Sequence, residues 1–168
     1  MALISFADLP ETSRLWIFAS PAEVPESQVV QFLKEVATAI HLWQAHGKDL
    51  SAGFAFRYKQ FVFIAANENV EMPSGCSIDT LTHEIDRIGK LHGASFLAPG
   101  LVFYRVGDNI HSVTRAEFKS LVESGTVSAD TVVFNNALTR LSELRAGKWE
   151  VAAKDSWHAQ AFKFPVAA

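Results

Sequence analysis

The chain has one cysteine, Cys76, and this is the side chain best suited to covalent chemistry. It lies in Ser74-Gly-Cys-Ser-Ile-Asp79, where a loop is predicted to lead into a helix. Unbonded backbone N–H groups and the positive end of the helix dipole stabilise a thiolate at such a position. A nucleophilic thiol also needs a base within hydrogen-bonding distance, and His46 and His158 are the candidates. The sequence therefore allows a thiol nucleophile with one of two histidines as its base.

The same stretch also has a structural interpretation, which we favour. Cysteine is a small hydrophobic residue that is often buried, and no recognisable catalytic motif surrounds Cys76. Ser74 or Ser77 is suited to cap the helix. The charge of Asp79 opposes a nearby thiolate, although it favours the helix N-terminus.

Two Trp–His pairs are candidates for a ligand pocket. Trp43 is placed on the buried stripe of a predicted helix with His46 at its edge, and Trp157 directly precedes His158. Each pair is suited either to line a pocket or to close one side of the core. We expect the stretches around His46, Cys76 and Trp157–His158 to meet in one solvent-accessible hollow.

Polar side chains complete the predicted ligand-binding set. Asn135 and Asn136 follow a predicted strand, where they either bind polar groups of a ligand or form the turn through their own backbone. Ser74, Ser77 and Asp79 join the set because of their position beside the cysteine.

Several classes of site and partner are disfavoured. The histidines and the cysteine show no metal-ligand spacing, so the sequence predicts no metal site, and it indicates no cofactor. The net charge is −3 and no basic stripe occurs, which disfavours nucleic acid as a partner. The longest apolar run, Phe61–Ala66, is far shorter than the roughly 20 residues of a membrane-spanning helix.

The same composition predicts the compartment and the type of chain. The N-terminus lacks the pattern of a signal peptide, and a single cysteine cannot form an internal disulfide. We therefore expect a cytoplasmic protein without a membrane partner. Its length fits one domain, residues 1–168, with a sizeable core.

Hydrophobic periodicity predicts the order of the elements. Gaps of three and four residues predict a first helix from Val29 to Trp43 that ends at Gly47. The other predicted elements are strands at 14–20, 54–58, 61–66, 101–106 and 131–134, a helix after residue 78 and a helix at 114–124. Up to Val106 this order is β-α-β-β-α-β, which is the ferredoxin-like plan. The predicted fold is α+β, with a ferredoxin-like core at 1–107 and a C-terminal helix and strand extension at 108–168 packed on it.

Several segments together resemble a known but uncharacterised family of small bacterial proteins. They are Ser13-Arg-Leu-Trp-Ile-Phe, Trp43-Gln-Ala-His-Gly47, Ser74-Gly-Cys-Ser-Ile-Asp79, Val133-Phe-Asn-Asn136, Trp149-Glu-Val and Ser156-Trp-His158. Some members of that family carry the automatic label "ABC transporter ATPase". The chain contains no G-x-x-x-x-G-K-[ST] loop to hold the phosphates, so we reject nucleotide hydrolysis of that type.

A second resemblance covers residues 102–138. A strand, a polar turn, a Thr-capped helix and Asp130-Thr-Val-Val-Phe are similar to the GYF-type modules that hold proline-rich peptides. This chain has His111-Ser112 where those modules usually carry Gly-Pro. The resemblance therefore implies a similar shape rather than peptide binding.

Two functions follow from these residues. The sequence favours a non-catalytic binding or interaction protein whose partner is an unknown small molecule or protein. The alternative is a thiol-dependent hydrolase or transferase that uses Cys76 with His46 or His158. Exposed strand edges and Phe-rich faces would also allow homo-oligomer formation under either function.

Overall fold

The computed structural model describes residues 3–165, and its secondary structure is mixed α and β, which confirms the predicted class. These residues form two compact units. The first consists of residues 3–98 together with 139–142. The second consists of residues 99–138 together with 143–165.

The first unit contains a three-stranded sheet, a short hairpin and two long helices. In chain order its elements are β1 (Arg14–Ala19), α1 (Val29–His41), β2 (Gln44–Ala45), β3 (Lys48–Asp49), β4 (Ala52–Arg57), β5 (Phe61–Ala66) and α2 (Gly75–Leu91). Short 3-10 helices occupy Phe6–Asp8 and Glu26–Gln28. The sheet order is β1-β5-β4 with antiparallel pairing throughout, and β2 and β3 pair separately.

The central strand β5 organises the core of the first unit. All six of its residues are buried, as expected for a strand that is covered on both faces. Because successive side chains of a strand point to opposite faces, every second residue of β5 enters the same hydrophobic cluster. That cluster contains Val62, Ile64 and Ala66 together with Phe32, Val36 and Ile40 of α1 and Leu81, Ile85 and Ile88 of α2.

The second unit is built on a four-stranded antiparallel sheet. Its elements are β6 (Leu101–Val106), β7 (Asn109–Thr114), α3 (Arg115–Glu123), β8 (Val132–Phe134), β9 (Glu150–Ala152), the 3-10 helix Ala153–Asp155 and α5 (His158–Phe162). The short helix α4 (Leu141–Arg145) begins in the 139–142 segment of the first unit. The strand order is β7-β6-β8-β9. The predicted Thr cap of α3 is part of a capping box, because the Thr114 hydroxyl accepts the Glu117 N–H at 3.2 Å and the Glu117 carboxylate accepts the Thr114 N–H at 3.1 Å.

The predicted position of the strand Leu101–Val106 requires a correction. It does not join β1 in a four-stranded ferredoxin-like sheet, because it pairs with β7 and β8 in the second unit. Both edges of this strand are used in the second unit: one pairs with β7 across a two-residue turn in which Gly107 has a φ of 59°, and the other pairs with β8. The sheet of the first unit therefore has three strands, in the order β1-β5-β4. The predicted subdivision at residue 107 falls inside the β6–β7 hairpin.

Candidate functional site

Trp43 fixes the end of α1 to the start of α2. Its side chain is buried, and its indole Nε1–H donates a hydrogen bond of 2.7 Å to the carbonyl of Ser77. On another side it meets Trp16 edge to face, with the ring centroids 5.6 Å apart. The hydrogen-bonding capacity of this indole is therefore used within the protein.

The sequence predicted His46 at the edge of the first helix, but the structure places it in a tight hairpin turn. Helix α1 ends at His41, and β2 and β3 pair across His46 and Gly47. These two turn residues have φ values of 54° and 75°, the left-handed conformation that a two-residue type I′ turn requires at both positions. Gly47 therefore closes a hairpin rather than ending a helix, and the turn presents His46 to solvent.

The start of α2 is a capping box formed by two serines. The Ser74 hydroxyl accepts the Ser77 N–H at 3.1 Å, and the Ser77 hydroxyl accepts the Ser74 N–H at 2.8 Å. The predicted caps are therefore both used. The backbone N–H groups of Gly75 and Cys76, in the first turn, have no acceptor among residues 3–165. The Cys76 side chain is exposed beside them.

These three features border one cavity with a volume of about 740 Å³, which we call the Trp43 groove. It is lined by Ala39, Leu42, Trp43, Gln44, Ala45, His46, Ser74, Gly75, Cys76, Ser77, Thr80, Leu81 and Glu84. The volume lies within the range of small-molecule sites. Five of the predicted site residues therefore line one cavity, namely Trp43, His46, Ser74, Cys76 and Ser77. Within residues 3–165, no hydrogen bond joins the Cys76 thiol to His46.

Asp79 and Glu84 differ in position relative to the Trp43 groove from what the sequence prediction expects. Asp79 does not line the Trp43 groove, because it faces solvent and lies 3.5 Å from His83 on the same helix. Glu84 does line it. The guanidinium of Arg87 donates hydrogen bonds to the Glu84 carboxylate and thereby lowers its pKa. The i,i+3 spacing of this pair is visible in the sequence, but its position at the groove is not.

The remaining predicted residues belong to the second unit. Within the second unit, Trp157, His158 and Asn136 line a cavity of about 420 Å³. The side chain of Asn136 accepts a hydrogen bond of 2.9 Å from the indole of Trp149. Asn135 does not line this cavity and forms the turn, since its side chain accepts the Ala137 N–H at 3.2 Å.

His158 is fully buried, and its environment keeps it neutral. Its Nδ1 lies 2.9 Å from the Ser156 hydroxyl, and its ring stacks on Trp157 with the centroids 3.9 Å apart. Burial, with a smaller contribution from the nearby charge of Arg115, lowers the pKa of His158 to about 4. An imidazole with this pKa is mostly unprotonated near neutral pH.

Within residues 3–165, no group of three or more His, Cys, Asp and Glu side chains is arranged to hold a metal ion. The same residues include no helix with the length and apolar character needed to cross a bilayer. The chain matches no protein-family model, no curated protein and no solved structure.

Proposed function

We propose that this protein is a non-catalytic binding protein and that the Trp43 groove takes a small, largely apolar molecule carrying a hydrogen-bond acceptor. The observation that carries the proposal is the combination of the 740 Å³ cavity with two unpartnered backbone N–H groups at its edge. An apolar cavity with a few converging polar groups is the usual form of a small-molecule site.

The exposed apolar surface of the Trp43 groove favours an apolar ligand. Leu42 leaves 68% of its surface exposed although it lies directly before the buried Trp43. Covering such a side chain with apolar ligand atoms contributes about 25 cal/mol for each Å² removed from water. An acceptor oxygen on the ligand would bond the free N–H groups of Gly75 and Cys76, where the positive end of α2 also favours it.

Gly75 allows a direct test, because a Cβ added there meets no atom within 4 Å. We expect Gly75→Leu to place its side chain in the groove without disturbing the fold. The neutral dye Nile red, which carries a carbonyl acceptor, should bind the wild-type protein with a rise in fluorescence, and Gly75→Leu should weaken that binding at least about tenfold.

The matched control is Gln31→Leu, which adds the same side chain to an exposed position of α1 that does not line the groove. It should bind Nile red like the wild-type protein. Equal binding by Gly75→Leu and wild type would reject the Trp43 groove as the site.

The alternative function is a thiol enzyme, and one observation favours it. Cys76 is exposed in the same cavity as His46, which makes this histidine the candidate base within the first unit. The discriminating measurement is the rate of Cys76 alkylation by iodoacetamide at about pH 6, compared with an unstructured cysteine peptide. A rate well above that of the peptide supports the enzyme, and an equal rate supports the binding protein.

His46→Asn is the appropriate variant for this test, because asparagine also accepts the positive φ of a type I′ turn. If the protein is a thiol enzyme, Cys76 should be alkylated more slowly in His46→Asn than in the wild-type protein. If it is a non-catalytic binding protein, the alkylation rate should not change in His46→Asn, and Cys76→Ser should bind Nile red with the wild-type affinity.

The proposal includes a reducing, cytoplasmic location, which an exposed and unpaired Cys76 supports. It also includes the absence of ATPase activity, since the chain has no phosphate-binding glycine loop. Membership of the uncharacterised bacterial family stays a prediction from the quoted segments.

A further inference from the structure

The cavity of the second unit, which we call the Arg115 cavity, differs in its chemistry from the Trp43 groove. It has a volume of about 420 Å³ and combines an apolar wall, including Leu101, Phe103 and Phe134, with Arg115, Trp157 and His158. This volume suits the body of a small molecule.

Two ring nitrogens of the residues that line this cavity are unsatisfied. Trp157 Nε1 and His158 Nε2 are both closed to solvent and have no hydrogen-bond partner among residues 3–165. An indole N–H is always a donor. When the Ser156 hydroxyl donates to Nδ1 of His158, the ring proton resides on Nε2, so that this nitrogen is also a donor. Buried donors without acceptors are rare, because each loses its hydration without compensation.

The same cavity carries an unpaired cation. Arg115 is exposed and forms no ion pair within the described part of the chain, and its guanidinium carbon lies 5.0 Å from the centre of the Trp157 ring. Arg115 lies over the Trp157 ring and is exposed, and both ring nitrogens are closed to solvent, so a ligand would reach them only after side chains of this cavity shift. A guanidinium with no carboxylate partner is itself suited to bind one in a bidentate manner.

We propose that the Arg115 cavity binds the carboxylate of a small organic acid with an apolar body. The carboxylate pairs with the Arg115 guanidinium and accepts the ring N–H groups of Trp157 and His158. The apolar body lies against Leu101, Phe103 and Phe134. This site is independent of the Trp43 groove and of its proposed function.

The test is a titration of the full chain with phenylacetate, followed by NMR at the Trp157 indole N–H and assigned with the variant Trp157→Phe. We expect a saturable shift of this signal at concentrations up to about 10 mM, which covers millimolar dissociation constants. Phenylacetamide has the same shape without the charge, and its affinity should be at least about tenfold lower.

Arg115→Gln should also weaken phenylacetate binding at least about tenfold. Lys119→Gln is the matched control, because it removes one positive charge from the same helix at an exposed residue that does not line the cavity, and it should keep the wild-type affinity. Absence of a saturable shift, or equal affinity of the wild-type protein and Arg115→Gln, would overturn the proposal. The Trp43 indole signal should stay unchanged throughout, which separates this result from any outcome at the Trp43 groove.

Discussion

The two Trp–His pairs share residue types but differ in the hydrogen bonds that their side chains form. The indole N–H of Trp43 is bonded to the Ser77 carbonyl, and His46 stands exposed in a turn. Trp157 and His158 stack on each other, and each keeps a buried ring nitrogen without a partner. In the Trp43 groove the free donors belong to the backbone, whereas in the Arg115 cavity they belong to side chains. The role of a tryptophan in a site therefore depends on whether its N–H is already used by the fold.

The strongest test of this contrast compares two tryptophan substitutions. Trp43→Phe removes the indole hydrogen bond to the Ser77 carbonyl and also removes buried volume, so we expect a loss of about 3 kcal/mol in the free energy of unfolding. Trp157→Phe removes a donor that has no acceptor, so its cost should be smaller, about 1 kcal/mol. Urea denaturation measures both. Equal losses would show that the hydrogen bond of Trp43 does not distinguish the two residues.

Because buried His158 is neutral, we expect the stability of the protein to depend on pH through His158 of the Trp157–His158 pair. Its folded pKa of about 4 lies below the ordinary value of 6.5, so the unfolded chain binds more protons between these two values. The contribution of His158 to stability is therefore fully present above about pH 6.5 and falls by up to about 3 kcal/mol as the pH drops towards about 4. The variant His158→Phe, which keeps an aromatic ring, should lose this part of the dependence. Denaturation at a series of pH values measures it, and an unchanged profile in the variant would assign the effect elsewhere.

The smallest expected effect concerns the helix start beside the Trp43 groove. Ser74→Ala removes the acceptor for the Ser77 N–H and should cost about 1 kcal/mol of stability. Thr114→Ala removes the equivalent cap of α3 and should cost a similar amount. Thermal denaturation compares the two variants. Only the Ser74 variant should also alter Nile red affinity, because only that cap lies at the groove.

Local patterns in the sequence predicted local structure well. Ser74 and Thr114 were both placed at helix starts, and each forms a capping box. The spacing of Phe32, Val36 and Ile40 predicted the buried side of α1. These predictions succeeded because capping and amphipathic periodicity depend on residues within a few positions of one another.

Non-local pairing was not predictable in the same way. The largely apolar run Leu101–Val106 fits either sheet, and its pairing with β8, about 30 residues further along the chain, is not visible in any local pattern. Trp43 continues the periodicity of α1 although the helix ends at His41, because a residue just beyond a helix can still reach the same core. The ring nitrogens of Trp157 and His158 are unsatisfied because no neighbouring group of the described residues lies in position to bond them. Such an absence depends on the three-dimensional packing and is not visible in a sequence pattern.

The most direct test of the proposed function is a Nile red titration of the full chain observed by NMR at the backbone amides. Binding in the Trp43 groove should move the signals of Gly75 and Cys76, whose N–H groups are free, while the Trp157 indole signal stays in place. In Gly75→Leu the response of Cys76 should disappear. Signal shifts confined to the second unit, or a Cys76 shift that persists in Gly75→Leu, would contradict Nile red binding in the Trp43 groove.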